Sequence, residues 1–416
     1  MNLKLRLIIL SFLQFFVWGA WLISLGSYTG AQLGFSSVEI GSLYAAMGIV
    51  SLFMPALLGI IADRWIPAQK MLGIAHFISS CLILAASQQT EYASLYPYMF
   101  ICMAFYMPTI GLSNSVAYIA LTKKGLDTVK TFPSIRIWGT IGFIVAMWTV
   151  DLLGLKNNSY QFYLSAIAGF TLAAYSFTLP HCSVSKNIKS SSFIETFGLK
   201  AFTLFKQKKM AVFFIFAMLL GAMLQITNGF GDWFLSSFKS VPEYANTFGV
   251  KHSVILISLS QISETFCILL IPFFLKRYGI KKVMLISMLA WVLRFGLFGF
   301  GNPGTGVWML ILSMLVYGVA FDFFNVSGSL FVDKETAANT RSSAQGLFMI
   351  MTNGLGALIG SYAAGFVVHH QVPNPSIPDG WNTAWFIFAA YALVVAILFA
   401  FVFRYKHNQV EFESFK

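Results

Sequence analysis

Long apolar stretches separated by short polar segments run along the whole chain. Each stretch is about 20 residues or longer, the length that an α-helix needs to cross the hydrocarbon core of a bilayer. The polar breaks include "DRWIPAQK", "TKKGLDTVKTFP", "KRYGIKK", "FGNPGTG" and "HHQVPNPSIPDG". Because a backbone inside a bilayer must satisfy its own hydrogen bonds, the stretches are predicted to be helices. The pattern therefore predicts an all-α polytopic membrane protein.

The positions of the breaks predict twelve transmembrane helices. They are expected at about residues 5–28, 38–62, 69–88, 94–121, 132–154, 160–180, 209–235, 250–275, 282–301, 305–331, 341–367 and 380–405. The first stretch is longer than the hydrophobic region of a signal peptide and has no cleavage-like site. We therefore expect it to be the first spanning helix.

The longest polar segment, 181–208, divides the predicted helices into two groups of six. The expected organisation is an N-terminal six-helix bundle at 1–180, a cytoplasmic central loop at 181–208, a C-terminal six-helix bundle at 209–405 and a cytoplasmic tail at 406–416. The second half of the loop alternates Phe and Leu with Lys. This pattern fits either an amphipathic helix on the inner leaflet or a plain tether.

Composition and charge support the membrane prediction and give an orientation. The chain is 57% hydrophobic and 10% charged, and its mean hydropathy of +0.74 lies outside the range of soluble proteins. Its net charge of +12 does not indicate a nucleic-acid partner, because the 27 basic residues follow the topology. Lys156, Lys239 and Lys251 fall on one side, Arg136 and Arg294 fall within spans, and the other 22 fall on the opposite side. That side is predicted to be the cytoplasm, with both termini in it.

The sequence carries no pattern typical of an enzyme or a metal site. The four cysteines, Cys81, Cys102, Cys182 and Cys267, form no CxxC pair and are expected to be packing residues. The six histidines are dispersed or lie beside a loop or in the tail, and no nucleophile set or phosphate-binding loop occurs. We therefore expect no enzyme activity and no bound cofactor.

The two predicted halves are weakly similar, as in major facilitator transporters. "MPALLGIIADRWIPAQKML" and "IPFFLKRYGIKKVML" each contain a Pro, an apolar stretch and a basic turn before the next helix. The first also resembles the loop motif G-x-x-x-D-R-x-G-R-K of that superfamily. Gly59, Asp63 and Arg64 match it, whereas Ile66 and Pro67 replace later positions. The resemblance implies that Asp63 and Arg64 help to close the cytoplasmic side; the alternative is an ordinary charged turn.

Polar residues inside spans are candidate functional residues, because burying them in hydrocarbon is costly. On helix 5, Arg136, Thr140 and Phe143 share one stripe at i, i+4 and i+7. Arg136 lies near the cytoplasmic end, so its alternative role is to extend toward the inner interface. The stripe favours a binding role.

Three further spans carry polar pairs at helical spacing. They contain Gln225 and Asn228 on helix 7, Gln261 and Glu264 on helix 8, and Tyr317, Phe321 and Asp322 on helix 10. The alternative for these residues is interhelical hydrogen bonding or core packing. Amides, aromatic rings and two carboxylates suit a polar, largely uncharged solute with a flat ring better than a phosphate or polycarboxylate.

Two other charges are expected to have structural roles. Arg294 on helix 9 is interpreted as a charge partner or as a side chain that extends to the interface, and Asp232 is interpreted as an interfacial residue near the outer end of helix 7. Gly356 and Gly360 in helix 11 form a GxxxG pattern, which is expected to serve packing inside the chain rather than dimerisation.

Several long blocks resemble the nucleoside:proton symporter family, a bacterial branch of the major facilitator superfamily. They include "SFLQFFVWGAWL", "FPSIRIWGTIGFI", "LLGAMLQITNGFG", "SQISETFCILLIPFFLKRYGIKKVM" and "VYGVAFDFFNVSGSLFV". The resemblance extends from about residue 1 to 405. It implies a monomer in the bacterial inner membrane that imports nucleosides such as uridine or adenosine with protons.

The resemblance also implies roles for individual residues. The substrate-binding residues would be Arg136, Thr140, Phe143, Gln225, Asn228, Gln261, Glu264, Tyr317 and Phe321. Proton coupling would involve Glu264, Asp322 and Arg136, with Arg136 exchanging partners between the two carboxylates during alternating access. Glu264 lies near mid-membrane, so we expect it to be neutralised more easily than Asp322 and to carry the proton.

Two other transport functions and one other protein class are alternatives. A channel or facilitator would equilibrate the solute without concentrating it. A sugar or oligosaccharide symporter would use the same amides and aromatic rings, so only the family blocks argue against it. The third alternative, an integral-membrane enzyme, is supported by no motif in the sequence.

Overall fold

The computed structural model describes residues 2–182, 199–337 and 340–405, and in these ranges every regular element is a helix. Two compact units, Met1–Phe197 and Gly198–Lys416, make up the chain. Most of the predicted central loop, residues 183–198, lies outside the described residues, as does the predicted tail 406–416. The end of the predicted loop contains a 3₁₀ segment, Leu199–Lys206.

The N-terminal unit contains nine α-helices in its described part. They are α1 (Leu3–Gly19), α2 (Leu25–Ala31), α3 (Ser37–Ser51), α4 (Met54–Arg64), α5 (Ala68–Ala86), α6 (Tyr92–Lys123), α7 (Thr128–Thr131), α8 (Pro133–Leu152) and α9 (Tyr160–Ser176).

The C-terminal unit contains seven α-helices and one π-helix in its described part. They are α10 (Lys208–Ser237), α11 (Phe248–Lys251), α12 (Ser253–Phe300), α13 (Val307–Glu335), α14 (Arg341–Met349), the π-helix Ile350–Gly356, α15 (Ala357–Gln371) and α16 (Trp381–Val402).

Nine helices in the described residues are long and apolar enough to cross a membrane. The prediction of an all-helical, multi-pass membrane protein is confirmed at this level. The longest of the nine, α12, covers the two predicted spans 250–275 and 282–301.

The predicted loop "KRYGIKK" is reduced to one non-helical residue within α12. Gly279 has φ 73° and ψ 168°, and helix continues on both sides of it. Glycine has no Cβ and adopts positive φ at little steric cost, so a single residue is enough to bend the chain. The prediction of a loop between these spans was wrong in its length.

The predicted first span is interrupted between α1 and α2. The break leaves backbone groups without their helical hydrogen-bond partners. The Tyr44 hydroxyl from α3 satisfies two of them, because it donates to the Leu22 carbonyl oxygen at 2.6 Å and accepts from the Gly26 amide at 3.2 Å. A side chain of a neighbouring helix therefore compensates for the interruption.

Close backbone approaches hold the helices that carry the candidate site residues. A Cβ at Gly142 on α8 would lie 2.2 Å from the Phe12 carbonyl oxygen of α1. A Cβ at Gly221 on α10 would lie 2.2 Å from the carbonyl oxygen of Thr352 in the π-helix. Small residues permit such crossings in membranes. Gly360 likewise packs against α10, which confirms the prediction that the GxxxG pattern serves packing inside the chain.

Candidate functional site

The predicted stripe on α8 lies against α1 within the N-terminal unit. The helix begins at Pro133, whose missing amide hydrogen and fixed φ suit a first helical position. The Arg136 guanidinium carbon lies 4.0 Å from the centroid of the Phe15 ring, which is a cation–π contact. Arg136 and Thr140 are half-buried, and Phe143 is buried.

Two rings of α1, Phe15 and Trp18, support this stripe; we call them the α1 aromatic pair. Trp18 meets Phe143 edge-on, with ring centroids 6.1 Å apart and planes at 86°. Gly139 makes room for the pair, because a Cβ there would lie 2.6 Å from the Phe15 ring. The α1 aromatic pair therefore limits the positions that Arg136 and Phe143 adopt.

Behind the α1 aromatic pair lies a fully buried, neutral polar network that connects α1, α5 and α6. His76 Nε2 lies 2.9 Å from Gln14 Oε1, and the Gln14 amide donates to Thr109 Oγ1 at 2.8 Å. The Tyr106 hydroxyl donates to the Gln14 carbonyl oxygen at 2.6 Å. The Tyr106 ring in turn lies 6.0 Å from Trp18. The network thus fixes the helix that carries the α1 aromatic pair.

The C-terminal unit brings two carboxyl groups together. Asp322 on α13 is 5% exposed, and within the described part of the chain its Oδ2 has no hydrogen-bond partner. Glu264 on α12 is half-buried and close enough for its charge to interact with that of Asp322. Asp322 is the more buried of the two, and the expectation that Glu264 carries the proton stays a prediction.

A close crossing of α12 and α13 produces this arrangement. A Cβ at Gly318 would lie 2.7 Å from the Ser263 carbonyl oxygen, so the two backbones nearly touch. The Ser263 hydroxyl also donates to the Leu315 carbonyl oxygen. The crossing brings this part of α12 close to the part of α13 that carries Tyr317 and Asp322, and Glu264 interacts with both residues.

Tyr317 and Phe321 form a parallel ring stack on α13. Their centroids are 5.7 Å apart and their planes differ by 6°. Tyr317 is buried and Phe321 is half-buried, and both Glu264 and Asp322 interact electrostatically with the Tyr317 hydroxyl. An aromatic surface therefore lies next to the carboxyl pair.

The three predicted amides also belong to this unit. On α10, the Asn228 amide donates to Gln225 Oε1 at 3.4 Å, so the i, i+3 pair is in contact. Gln261 on α12 is half-buried, and its Oε1 has no hydrogen-bond partner among the described residues. A buried carbonyl oxygen without a donor is costly, and a ligand hydroxyl or amino group would satisfy it.

The two residues of the superfamily loop motif end α4. Asp63 is exposed and Arg64 is half-buried. Their role in a cytoplasmic closure stays a prediction, as do the roles of the candidate binding residues.

Arg294 differs from both of its sequence-based interpretations. It is 2% exposed, so it does not extend to an interface, and among the described residues it forms no ion pair with a carboxylate. Instead its guanidinium lies 4.6 Å from the centroid of the Tyr317 ring. Asp232, interpreted from the sequence as an interfacial residue near the outer end of helix 7, is buried within the unit and accepts a hydrogen bond from Ser253 Oγ at 2.5 Å.

The comparisons with known proteins agree on one family. The profile of the family described as nucleoside H+ symporter matches residues 1–408. The chain is 51% identical over 411 residues to the nucleoside permease NupG of Escherichia coli (strain K12), covering 99% of this chain and 98% of that protein. It is 48% identical over 409 residues to the xanthosine permease of the same organism, covering 98% and 97% of the two chains.

A solved structure gives the same result for the fold. The crystal structure of the nucleoside transporter NupG superimposes with a TM-score of 0.91 at 51% identity, covering 98% of this chain and all of that one. These relatives are transporters and not enzymes, which confirms the predicted class of protein. The chain belongs to the nucleoside H+ symporter family.

Proposed function

We propose that the protein imports nucleosides across the bacterial inner membrane by proton symport, with alternating access as the mechanism. The observation that carries the proposal is the carboxyl pair beside the ring stack. Asp322 is buried with an unpartnered Oδ2, interacts with Glu264, and adjoins Tyr317. One location thus offers both a proton acceptor and an aromatic surface for a base. Family membership and the printed names of the relatives support the same function.

The proposed topology has twelve spans in two groups of six. The 48-residue helix α12 bends at Gly279 and supplies two spans. Helices α1 and α9, with 17 residues each, supply two more, α1 being extended by α2. The continuous apolar segments Ser37–Arg64, which joins α3 and α4, and Ser343–Gln371, which joins α14, the π-helix and α15, supply one span each. With α5, α6, α8, α10, α13 and α16 this makes six spans in each unit. The charge distribution supports cytoplasmic termini, and we propose that the protein acts as a monomer.

Nucleoside binding would use aromatic rings and amides. The ring stack of Tyr317 and Phe321, and Phe143 of the other unit, offer surfaces for stacking a base. Gln225, Asn228 and Gln261 offer carbonyl and amino groups, and Thr140 offers a hydroxyl, for base edges and ribose hydroxyls. Each neutral hydrogen bond contributes about 0.5–1.5 kcal/mol net. A solute without the hydroxyls would leave the Gln261 carbonyl oxygen unpaired and bind more weakly.

Proton coupling would start at the carboxyl pair. Two neighbouring carboxylates repel each other, and a proton bound to one of them removes the repulsion. We propose Asp322 as the proton carrier, with Glu264 as its electrostatic neighbour and Arg136 as the cation of the coupling step. Asp63 and Arg64 are proposed to act in the cytoplasmic closure. No cofactor other than the proton is needed for this cycle.

The test is uptake of labelled uridine by proteoliposomes that contain the purified protein. An inward proton gradient should drive accumulation above the outside concentration, and an uncoupler added to loaded vesicles should release the excess. Unlabelled adenosine should compete, and sucrose should not. Equilibration without accumulation would indicate a facilitator instead, and inhibition by sugars but not by nucleosides would indicate a sugar symporter.

A further inference from the structure

A fully buried arginine lies next to the ring stack in the C-terminal unit. Arg294 Nη1 donates to the Ser313 carbonyl oxygen at 2.8 Å and to Ser260 Oγ at 3.3 Å. Within the described part of the chain, its Nε has no hydrogen-bond partner. An arginine inside a membrane bundle is costly, so its presence calls for a role.

The guanidinium is tied to α13 one turn before Tyr317. Ser313 Oγ donates to the Arg294 carbonyl oxygen at 2.9 Å, which makes the contact between the two helices reciprocal. Ser313 and Tyr317 are four residues apart and therefore lie on the same face of α13. A guanidinium anchored at Ser313 is consequently held beside the Tyr317 ring.

Tyr317 is confined by its neighbours. The Arg294 guanidinium carbon lies 4.6 Å from the Tyr317 ring centroid. The Trp291 ring meets Tyr317 edge-on at 6.0 Å and 90°, and Phe321 stacks on Tyr317 in parallel. Among the described neighbours of Tyr317, Arg294 carries a fixed positive charge, since a guanidinium keeps its proton. The cation attracts the ring, and the ring carries the stack.

We infer that Arg294 is a positioning residue for nucleoside binding. Its guanidinium holds Tyr317 in the orientation that keeps Phe321 stacked and available to a base. Arg294 acts on affinity and not on proton coupling, because its contacts in the described residues are to hydroxyl, carbonyl and aromatic groups and include no carboxylate. The inference rests on the proposed function, in which the ring stack contacts the nucleoside.

The competing explanation is that Arg294 only joins α12 to α13. Both explanations predict a loss of stability when the guanidinium is removed. They differ in two respects: whether the affinity for nucleoside changes, and whether that change depends on the Tyr317 ring. A double-mutant cycle with Tyr317 measures this dependence.

The experiment measures uridine binding to the full-length protein in detergent by titration calorimetry, with the thermal midpoint recorded for each variant. Arg294→Met should raise the Kd for uridine about two- to thirtyfold, the range expected for loss of a cation–π contact. Arg294→Lys should recover part of the affinity, because it keeps the charge and loses the planar fork. In a Tyr317→Leu background, Arg294→Met should change the Kd by less than about twofold.

Arg277→Met is the matched control. Arg277 is exposed, and its guanidinium carbon lies 5.7 Å from the Tyr278 ring, so the variant removes a cation beside a tyrosine elsewhere on α12. Its Kd should equal that of the native protein. In proteoliposomes, the pH dependence of uridine uptake should be the same for Arg294→Lys and the native protein.

Three results would overturn the inference. The first is a lowered thermal midpoint for Arg294→Met with an unchanged Kd. The second is an equal loss of affinity with and without the Tyr317 ring, and the third is a shifted pH dependence in Arg294→Lys. If Arg294→Met does not fold, the same cycle is run with Arg294→Lys. If the native protein binds no uridine, it is the proposed function that fails, and this outcome is visible before any variant is made.

Discussion

The two units bury polar groups of different kinds at their centres. In the N-terminal unit, Gln14, His76 and Thr109 form a hydrogen-bonded network of amide, imidazole and hydroxyl groups, in which His76 Nδ1 has no partner among the described residues. In the C-terminal unit, Asp322 keeps a carboxylate oxygen without a partner among the described residues, and Arg294 keeps an unpartnered Nε. The first network joins three helices through hydrogen bonds and contains no carboxyl group, whereas a carboxyl group with an unpartnered oxygen can bind a proton. The comparison suggests a scaffold in one unit and a titrating site in the other.

The helix packing of the two units is similar despite this difference. Gly142 lets α8 approach α1, and Gly221 lets α10 approach the π-helix. At both glycines an added Cβ would lie only 2.2 Å from a carbonyl oxygen of the neighbouring helix. The difference in function therefore lies in the side chains that the close crossings bring together. Variants in the Gln14–His76–Thr109 network should therefore lower stability without changing coupling, whereas variants of Asp322 should change coupling.

The largest effect is expected from Asp322→Asn. The amide cannot release a proton, so proton-driven accumulation of uridine should fall on the order of 100-fold or more, whereas exchange of uridine across the membrane should continue. Uptake and counterflow in the same proteoliposomes check this. Glu264→Gln is the comparison variant and should keep part of the accumulation. Full accumulation by Asp322→Asn would exclude this residue as the proton carrier.

A bulky residue at the α12–α13 crossing should destabilise the C-terminal unit. In Gly318→Val the new side chain meets the Ser263 carbonyl oxygen, so the backbones must separate, at a cost of about 1–3 kcal/mol. Gly296→Val on α12 is the control, because a Cβ there meets nothing within 4 Å. Thermal unfolding in detergent compares the two. Equal thermal midpoints for the two variants would show that the α12–α13 crossing accommodates the larger side chain without loss of stability.

Removing His76 should affect stability and leave coupling unchanged. His76→Phe leaves Gln14 Oε1 without its partner in a site that has no access to solvent, at a cost of about 1–3 kcal/mol. The pH dependence of uridine uptake should stay that of the native protein. A shift in that dependence would mean that the N-terminal unit also titrates, and the comparison between the units would no longer hold.

The smallest effect is expected at the α1 aromatic pair. Trp18→Leu removes the edge contact to Phe143, so the KM for uridine should rise a fewfold, consistent with the roughly 0.5–1.5 kcal/mol of an aromatic pair. Trp138→Leu on α8 is the matched control, because Trp138 is exposed on the surface of the unit. Similar KM values for the two variants would show that Trp18 does not position Phe143 for uridine binding.

Hydropathy alone predicted the all-helical, multi-pass fold, because a bilayer permits few other solutions. It did not predict how helices are interrupted. The break before α2 depends on the hydroxyl of Tyr44 from another helix, and the bend at Gly279 needs only one residue. The spacing of apolar residues does not predict the π-helix either.

Spacing along single helices predicted which polar residues share a face, such as Gln225 with Asn228. It could not predict partners on other helices, because the rotation of one helix against another is set by packing. Arg294 illustrates this limit, since nothing in "WVLRFGLFGFG" indicates Tyr317. Trp18 lies in the block "SFLQFFVWGAWL", where its three-residue spacing from Phe15 is a signal of a shared face.

The most direct test of the titrating site measures proton uptake when uridine is added to the purified protein in weakly buffered solution with a pH indicator. The native protein should take up protons in proportion to the uridine bound. Asp322→Asn should bind uridine without taking up protons, and His76→Phe should behave as the native protein does. Uridine-dependent proton uptake that persists undiminished in Asp322→Asn would contradict the account.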